Sequence, residues 1–301
     1  MKKCLVPGRR TVLRACAYAI VAPWPSISLA SANFLKARHE YLLAQARLSV
    51  NVAVTATERA LALRRMAEEL DALGRSLAAL RTIDLALSVS GEAVAGRLHS
   101  TKARILFSLG HPEQALALLG PAANASPAET VVPLDRPLEP TPDSHGLQQE
   151  PLTAVFSCMQ LTRWREAIDA LARMPAGALG VLPAYRSVIY RYIMARANSS
   201  ELIDAGLERD AAYYASSDRS GYGLVLRLWQ GTDTSSEIGR FMDGVGDAKQ
   251  QDMLGKILFY AGAYLRYAAD NVEAGRSMLQ SLNNLAPYGC IEWEYGKAVL
   301  S

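Results

Sequence analysis

Apolar side chains recur at the spacing of a helical face along most of the chain. Leu63, Met66 and Leu70 lie three and four residues apart, and Val188 and Tyr192 follow the same spacing farther on. The alternation of β-branched and polar residues that is typical of a strand is almost absent. Half of the residues are apolar and a fifth are charged, as in an ordinary well-cored protein. The pattern therefore predicts an all-α fold.

The clearest unit of this pattern is Arg97–Pro127, which predicts two helices joined by a short turn. Ala103 is a small residue where the first helix must approach its partner, and Gly110 falls at the turn. Ala115 allows the second helix to pack closely, and Pro127 ends the unit.

A similar unit precedes it at Ala60–Gly91. Ala67 and Gly74 match the small and turn positions of the first helix, and Ala79 and Ala86 match the second helix. The same positions recur 36 residues later, so these two neighbouring units are the strongest structural signal in the sequence.

A third copy, near Gln148–Gly180, is recognisable mainly by its second helix, Arg163–Leu171. Residues 121–151, which separate it from the second copy, contain seven of the chain's fourteen prolines. Proline interrupts helices and favours extended segments. This stretch is therefore expected to be a long exposed loop or linker.

A fourth copy is Gly255–Pro287, in which Gly262 takes the small position of the first helix and Ala274 that of the second. The intervening stretch, Val181–Gln251, has helical spacing but an irregular pattern, and it predicts two further hairpins. Their turns are expected at Gly221–Gly223 and Gly244–Gly246.

The four copies resemble tetratricopeptide repeats (TPRs), helix–turn–helix units of about 34 residues that stack into a solenoid. The C-terminal region is also similar to the end of exported bacterial TPR adaptors of the cell envelope, through Phe259–Leu265, Ala274–Leu279 and Ile291–Tyr295. The resemblance implies an exported adaptor built as a partly degenerate α-solenoid of four to six helical hairpins. A generic bundle of Ala-rich helices is the alternative fold.

In TPR proteins the first helix of each unit lines a concave groove that holds a peptide. The resemblance places Leu61, Asp71, Ala72, Phe107, Ser108 and Ala263 along that groove, together with nine residues that we predict to bind the peptide. These predicted groove residues are Arg64 and Glu68 in the first copy, Arg97, Ser100 and Arg104 in the second, and Lys256, Phe259, Arg266 and Tyr267 in the fourth. Arg64, Arg97 and Arg104 are expected to contact a peptide carboxylate. An ordinary solvated helix face is the alternative. Glu68 stands where the chaperone-binding TPR clamp has Asn, so that specificity is not predicted.

The first 32 residues have the layout of a secretory signal peptide. They hold five basic residues and no acidic one, an apolar run at Ala15–Ala22, and the cleavage signal Ala30-Ser31-Ala32, so the mature chain is expected to begin at Asn33. Gly8–Arg14 also resembles a twin-arginine export signal. We expect a periplasmic or secreted protein. An uncleaved leader that anchors the chain in a membrane and an organelle transit peptide are the alternatives.

Charge and cysteine content change once the leader is set aside. The full chain has 32 basic and 29 acidic residues; without the five basic residues of the leader, 27 remain against 29, a net charge of about −2. This balance gives no support to nucleic-acid binding. Cys158 and Cys290 remain, either as a disulfide or as two buried free thiols.

No sequence motif of a known catalytic or metal site is complete. His39-Glu40 begins like the zinc motif H-E-x-x-H, but Leu43 occupies the place of the second histidine. Nucleophile elbows, phosphate-binding loops and C-x-x-C pairs are absent from the sequence. We expect no catalytic residue, no metal and no cofactor. Several tyrosines between Tyr185 and Tyr222 predict either a core cluster or an interface.

The expected organisation is a signal peptide at 1–32, N-terminal repeats at 33–120, a Pro-rich loop or linker at 121–151 and C-terminal repeats at 152–301. The expected function is a non-catalytic scaffold or adaptor that binds another protein or a peptide. A peptidoglycan-processing enzyme, or a subunit of one, with a helical solenoid body is the alternative. Nucleic acid is not an expected partner, and contact with a membrane is expected only if the leader is not cleaved. The sequence leaves open whether the protein forms a homo-oligomer.

Overall fold

A computed structural model describes residues 33–120, 144–174, 182–243 and 245–300. Within these ranges the chain is all-α, as predicted, with fourteen α-helices, one short 3₁₀ helix (Ser200–Leu202) and no strand. The helices are α1 Phe34–Val52, α2 Ala56–Ala72, α3 Ser76–Val89, α4 Glu92–Ser108, α5 Pro112–Leu119, α6 Ser144–Gln160, α7 Trp164–Arg173, α8 Leu182–Ala197, α9 Ala205–Ser217, α10 Gly221–Trp229, α11 Ser235–Asp243, α12 Ala248–Tyr267, α13 Val272–Leu285 and α14 Ile291–Val299.

The helices fall into two compact units. The N-terminal unit lies within Leu35–Gly180, and the C-terminal unit lies within Val181–Ser301 and also includes residues 33 and 34. The third repeat, α6 and α7, therefore belongs with the first two, because α6 packs on α4 and α5.

Parts of the predicted organisation lie outside the described residues. The leader at 1–32 and residues 121–143 of the Pro-rich stretch are among them. The last eight residues of that stretch, 144–151, are helical and form the start of α6, with Pro151 inside the helix.

Helices within each unit pair in chain order. In the N-terminal unit the pairs are α2/α3, α4/α5 and α6/α7; in the C-terminal unit they are α8/α9, α10/α11 and α12/α13, and α14 packs on both α12 and α13. The second helix of a pair contacts the first helix of the next pair, as α3 does with α4 and α9 with α10. Successive first helices also contact each other, α2 with α4, α4 with α6, α8 with α10 and α10 with α12.

The same turn ends the first helix of four pairs. Gly74, Gly110, Thr162 and Gly231 all have a positive φ, between 56° and 86°. In each turn the amide of this residue donates to the carbonyl three residues earlier, and the next amide donates to the carbonyl five residues earlier. This is the usual way for a helix to end on a left-handed residue, a conformation that glycine adopts at little cost. The predicted turns at Gly74 and Gly110 are thus confirmed.

Small residues occupy the tightest positions of the N-terminal unit, as predicted. The side chains of Ala67, Ala79, Ala86, Ala103 and Ala115 are all fully buried. Ala67, Ala79 and Ala86 belong to one buried cluster with the larger side chains of Leu63, Leu70, Ile83, Leu98 and Ile105. The helices can approach closely because the five alanine positions carry only a methyl group.

In the C-terminal unit the close approach is made by glycines. A Cβ atom on Gly262 of α12 would lie 2.8 Å from Cβ of Met278 on α13, which confirms Gly262 as a small position. On α13 the closest residue is Gly275 rather than Ala274, because a Cβ there would lie 2.9 Å from Cβ of Arg266.

The prediction of a turn at Gly221–Gly223 is wrong. Both glycines belong to the first turn of α10, and Ser220 caps this helix by accepting a hydrogen bond from the amide of Tyr222. They are needed for space, since a Cβ on Gly221 would clash with Ile257 and one on Gly223 would clash with the carbonyl of Asp218. At the other expected turn, Gly244 lies outside the described residues and Gly246 lies between α11 and α12.

Candidate binding surface

Two carboxylates of α2 connect this helix to α4. Oε1 of Glu68 accepts a hydrogen bond from Nη1 of Arg64 at 2.6 Å and another from Oγ1 of Thr101 at 2.9 Å. The structure thus brings together two predicted groove residues, Arg64 and Glu68, and adds Thr101 from the neighbouring first helix.

Asp71 makes the second connection, one helical turn farther along α2. Its Oδ2 accepts from Oγ of Ser108 at 2.9 Å and lies 3.9 Å from Nε of Arg104, a predicted groove residue. Its Oδ1 accepts from Oγ of Ser76 at 2.6 Å. We call the six residues that connect α2 and α4 the α2–α4 polar face: Arg64, Glu68, Asp71, Thr101, Arg104 and Ser108.

The α2–α4 polar face is largely dehydrated. Arg64 is 3% exposed, and the side chains of Asp71 and Arg104 are 7% and 13% exposed. Burial raises the pKa of the Glu68 carboxyl above its usual value, and the guanidinium of Arg64 and the hydroxyl of Thr101 oppose that rise. Charged groups held in fixed positions with little water around them are well placed to recognise a polar partner.

The remaining predicted groove residues of α4 lie nearer to solvent. Arg97 is exposed, and Ser100 is half-buried with its hydroxyl donating to the carbonyl of Gly96 at 3.0 Å. Arg97 thus presents a cation to solvent one turn before Thr101 and the α2–α4 polar face.

His39 lies beside the α2–α4 polar face, a position that the sequence did not predict. Nδ1 of His39 on α1 lies 2.6 Å from Oε2 of Glu69, the neighbour of Glu68 on α2. The sequence singled out His39 only through the incomplete zinc motif, and nothing in that motif indicates a partner 30 residues away.

The predicted groove residues of the C-terminal unit have a different environment. Phe259 is fully buried, and its ring packs against Tyr192, Tyr260 and Tyr295 at centroid distances of 4.8–5.9 Å. The resemblance assigned Phe259 to a groove, but α8 packs directly against α12 at this place in the unit. Phe259 is therefore a core residue in this structure.

Lys256, Arg266 and Tyr267 are half-buried and have partners within the unit. Nζ of Lys256 lies 2.8 Å from Oδ2 of Asp252 and 5.2 Å from the centre of the Tyr185 ring. Burial disfavours the charge of Lys256, but Asp252 and other nearby groups outweigh it, so its pKa is raised. The guanidinium of Arg266 lies 5.6 Å from the ring of Tyr267, whose hydroxyl donates to the carbonyl of Val299.

A buried carboxylate that sequence reasoning missed lies in the same unit. Glu292 has none of its surface exposed and accepts hydrogen bonds from the hydroxyls of Tyr185 and Tyr260 and from the thiol of Cys290. The Tyr260 and Cys290 bonds measure 3.2 Å and 3.1 Å. We call these four residues the Glu292 cluster. They come from α8, α12, α14 and the turn before α14, so no sequence motif could have joined them.

Three side chains of the Glu292 cluster, those of Tyr185, Tyr260 and Cys290, keep their protons to a higher pH than usual. Burial and the nearby Glu292 carboxylate raise the pKa of the Tyr185, Tyr260 and Cys290 side chains. A thiol must ionise to act as a nucleophile, and the environment of Cys290 opposes ionisation. The three donors thus satisfy the oxygens of the buried Glu292 side chain.

Cys158 lies in the N-terminal unit, and both cysteines are free and buried. Burial raises the pKa of the Cys158 thiol to about 11. Of the two alternatives that the sequence left open, the structure shows two buried thiols.

The tyrosines between Tyr185 and Tyr222 differ in their exposure. Four of them are buried, namely Tyr185, Tyr190, Tyr192 and Tyr222, whereas Tyr214 is half-buried and Tyr213 is 61% exposed.

Searches for two other kinds of site found no candidate among the described residues. Across 33–120, 144–174, 182–243 and 245–300, no three His, Cys, Asp or Glu side chains are grouped as a metal site would require. No helix in those ranges combines the length and the apolar character needed to span a bilayer.

Comparison with known proteins leaves the family open. No protein-family model matches the chain, and a search of curated proteins found no match.

Proposed function

We propose that this chain is a non-catalytic adaptor of TPR-like helical hairpins, exported to the bacterial cell envelope, and that it binds a protein or peptide on the α2–α4 polar face. The binding region is placed in the N-terminal unit because, in the C-terminal unit, α8 also contacts α12, which belongs to the hairpin after next, and Phe259 is buried there.

The helix contacts support the TPR-like part of the proposal. A stack of TPR units requires that each second helix touch the next first helix and that successive first helices touch each other. Both kinds of contact occur in each unit, and the same left-handed turn recurs at Gly74, Gly110, Thr162 and Gly231. Regular hairpins of this kind leave the first helices of the N-terminal unit side by side, where a partner can contact two of them at once.

The observation that carries the binding proposal is the polar network between α2 and α4. Arg64 and Arg104 are held by Glu68 and Asp71, and Arg97 stands exposed on the same helix as Arg104. Arg64 is 3% exposed and fixes Glu68, so the guanidiniums within reach of a partner are those of Arg97 and Arg104. A guanidinium that is already oriented, as that of Arg104 is, loses little conformational freedom when it binds a carboxylate. The preferred partner is therefore a segment that carries acidic side chains or a free C-terminus.

The export part of the proposal is supported by the first 32 residues, whose basic start, apolar run and cleavage signal have the order of a signal peptide. Its test is the mass of the protein recovered from the periplasm of a bacterial host. A chain that begins at Asn33 supports export, and a full-length chain retained in the cytoplasm contradicts it.

Site-specific photo-crosslinking tests the binding face. A photoreactive residue at Ser100 on α4 is expected to give a discrete adduct with a partner, and one at Leu85, which is 48% exposed on α3, is not. Arg97→Glu should reduce the Ser100 adduct severalfold, and Arg81→Glu, an equally large charge change at an exposed residue of α3, should leave it unchanged. Equal adducts from Ser100 and Leu85, or an adduct insensitive to Arg97→Glu, would show that the face is wrongly placed.

A further inference from the structure

A cleft of about 400 Å³ opens beside α10 and α11 in the C-terminal unit. Its lining comes from the turn before α10, from α10 itself and from α11. The lining residues are Arg219, Leu224, Arg227, Glu237, Arg240 and Phe241.

The lining carries more positive than negative charge. Three guanidinium groups face one carboxylate, that of Glu237, whose Oε2 lies 3.5 Å from Nη2 of Arg227. Arg219 and Arg240 are exposed, and neither forms an ion pair or hydrogen bond with the part of the chain that the structure describes. The cleft therefore has two positive charges in excess, and both belong to guanidiniums that are available to a ligand.

Apolar surface lies within the same cleft. Leu224 belongs to the wall and is 9% exposed, and Phe241 is half-buried on α11. A ligand that fills the cleft thus contacts hydrocarbon as well as guanidinium groups. Inorganic ions of the same charge would leave the apolar part of the wall in water.

We propose that this cleft binds a small organic dianion, a phosphate monoester or a dicarboxylate, that carries an apolar group beside its charges. The two charges of the ligand balance the excess charge of the cleft, and the planar guanidinium donates two parallel hydrogen bonds to either carboxylate or phosphate oxygens. The apolar group packs against Leu224 and Phe241, as is usual for small-molecule sites. This site is separate from the peptide-binding face proposed above, since it lies in the other unit.

Titration calorimetry of the purified protein with four probes tests the proposal. Phenyl phosphate and phenylsuccinate supply the two kinds of dianion, inorganic phosphate lacks the apolar group, and benzyl alcohol lacks the charge. At least one of the two aromatic dianions is expected to bind with a Kd of about 1 mM or tighter. Tighter binding of phenyl phosphate assigns the site to phosphate monoesters, and tighter binding of phenylsuccinate assigns it to dicarboxylates.

Variants at the lining place the binding in this cleft. Arg219→Gln combined with Arg240→Gln should weaken the bound dianion about tenfold or more, since each change removes a charge-assisted hydrogen bond. Glu237→Gln should tighten it severalfold, because a competing carboxylate is lost. Arg209→Gln, at an exposed arginine on α9 outside the cleft, should leave the affinity unchanged.

Three results would overturn the proposal. They are the absence of saturable binding by both aromatic dianions, inorganic phosphate or benzyl alcohol that binds as tightly as the tighter-binding aromatic dianion, and binding that the double Arg→Gln variant leaves intact. Both arginines are exposed, so the double variant is expected to keep its circular dichroism spectrum and melting temperature. Crosslinking at Ser100 is unaffected in every one of these variants if the two sites are independent.

Discussion

Thr162 adopts the backbone conformation that Gly110 adopts one hairpin earlier. Their φ angles are 56° and 80°, and each residue donates its amide to the carbonyl three residues before it. For a β-branched residue this left-handed conformation is strained, whereas glycine adopts it readily.

Replacing Thr162 by glycine is therefore expected to stabilise the protein. The change Thr162→Gly should raise the free energy of unfolding by about 1 kcal/mol, because the relief of strain exceeds the extra flexibility of the unfolded chain. The side chain of Thr162 is exposed, so little packing is lost. Urea denaturation measures the change. The matched variant Gly110→Ala should lower stability by a similar amount, and a loss of stability in Thr162→Gly would contradict the strain.

Adding one methyl group to α12 is expected to destabilise the C-terminal unit. In Gly262→Ala the new Cβ would lie 2.8 Å from Cβ of Met278, so the helices must separate at a cost of about 1–3 kcal/mol. Gly96→Ala makes the same change within α4, where the new Cβ would have no neighbouring atom within 4 Å. The free energy of unfolding is expected to rise by about 0.5–1 kcal/mol, because alanine favours the helix more than glycine does. Thermal melts of the two variants should move in opposite directions; a shift in the same direction would refute the close approach at Gly262.

Removing the fully buried carboxylate of Glu292 should lower stability far more than removing that of Glu294, which is half-buried on the same helix. Glu292→Ala leaves the hydroxyls of Tyr185 and Tyr260 and the thiol of Cys290 without their acceptor, and a loss of more than about 3 kcal/mol is expected. Glu294→Ala removes a carboxylate that pairs with Lys297 on the surface of the same helix, and a change within about 0.5 kcal/mol is expected. Chemical denaturation compares them directly, and similar losses in both would show that the cluster contributes little.

The dependence of stability on pH distinguishes Glu68 from Glu58. The pKa of Glu68 is raised by burial, so the folded protein keeps this proton to a higher pH than the unfolded chain does, and the contribution of Glu68 to stability falls as the pH rises above about 4.5. The pKa of Glu58 is lowered by hydrogen bonds from the amides of Thr55 and Val54, so its contribution is present above the unfolded pKa and is lost as the pH falls.

Two glutamine variants measure these opposite slopes. Relative to the unmodified protein, Glu68→Gln should become more stable as the pH is raised from about 4 to 7, and Glu58→Gln should become less stable over the same range. Urea denaturation at several pH values gives both differences. Slopes of the same sign in the two variants would contradict the assigned environments.

Much of the fold is visible in the sequence because helical hairpins depend on local features. The small residues Ala67 and Ala103 and the turns at Gly74 and Gly110 were recognisable, since only small side chains and glycine suit those positions. The first half of the third repeat was not recognisable, because Thr162 takes the place of the turn glycine. The turn at Thr162 has the same backbone conformation as those at Gly74 and Gly110, but without a glycine the sequence did not indicate it.

The candidate site was less predictable, because its contacts join residues that are distant in sequence. Arg64, Glu68 and Arg104 were singled out by the resemblance to TPR units, whereas the hydrogen bond from Thr101 to Glu68 and the pairing of His39 with Glu69 depend on how α1, α2 and α4 pack. In the C-terminal unit the expected exposure of Phe259 failed because α8 reaches α12, a contact between hairpins that are not neighbours in the chain.

The ring packing around Phe259 also makes the two units distinguishable by spectroscopy. Within the C-terminal unit, Tyr185 stacks on Tyr222 at 5.1 Å and Tyr192 lies 5.9 Å from Tyr295, all in a rigid and dry environment. Aromatic rings fixed in this way give a near-ultraviolet circular dichroism signal that disappears when tertiary packing is lost. In the N-terminal unit Phe107 and Phe156 lie 6.4 Å apart, and phenylalanine absorbs weakly; Trp164 of the same unit absorbs more strongly. Residues 35–180 contain one tyrosine, Tyr41, which is 62% exposed. The tyrosine part of the near-ultraviolet signal therefore follows mainly the melting of the C-terminal unit, and the far-ultraviolet signal follows both units, so a difference between the two melting curves would reveal whether they unfold together.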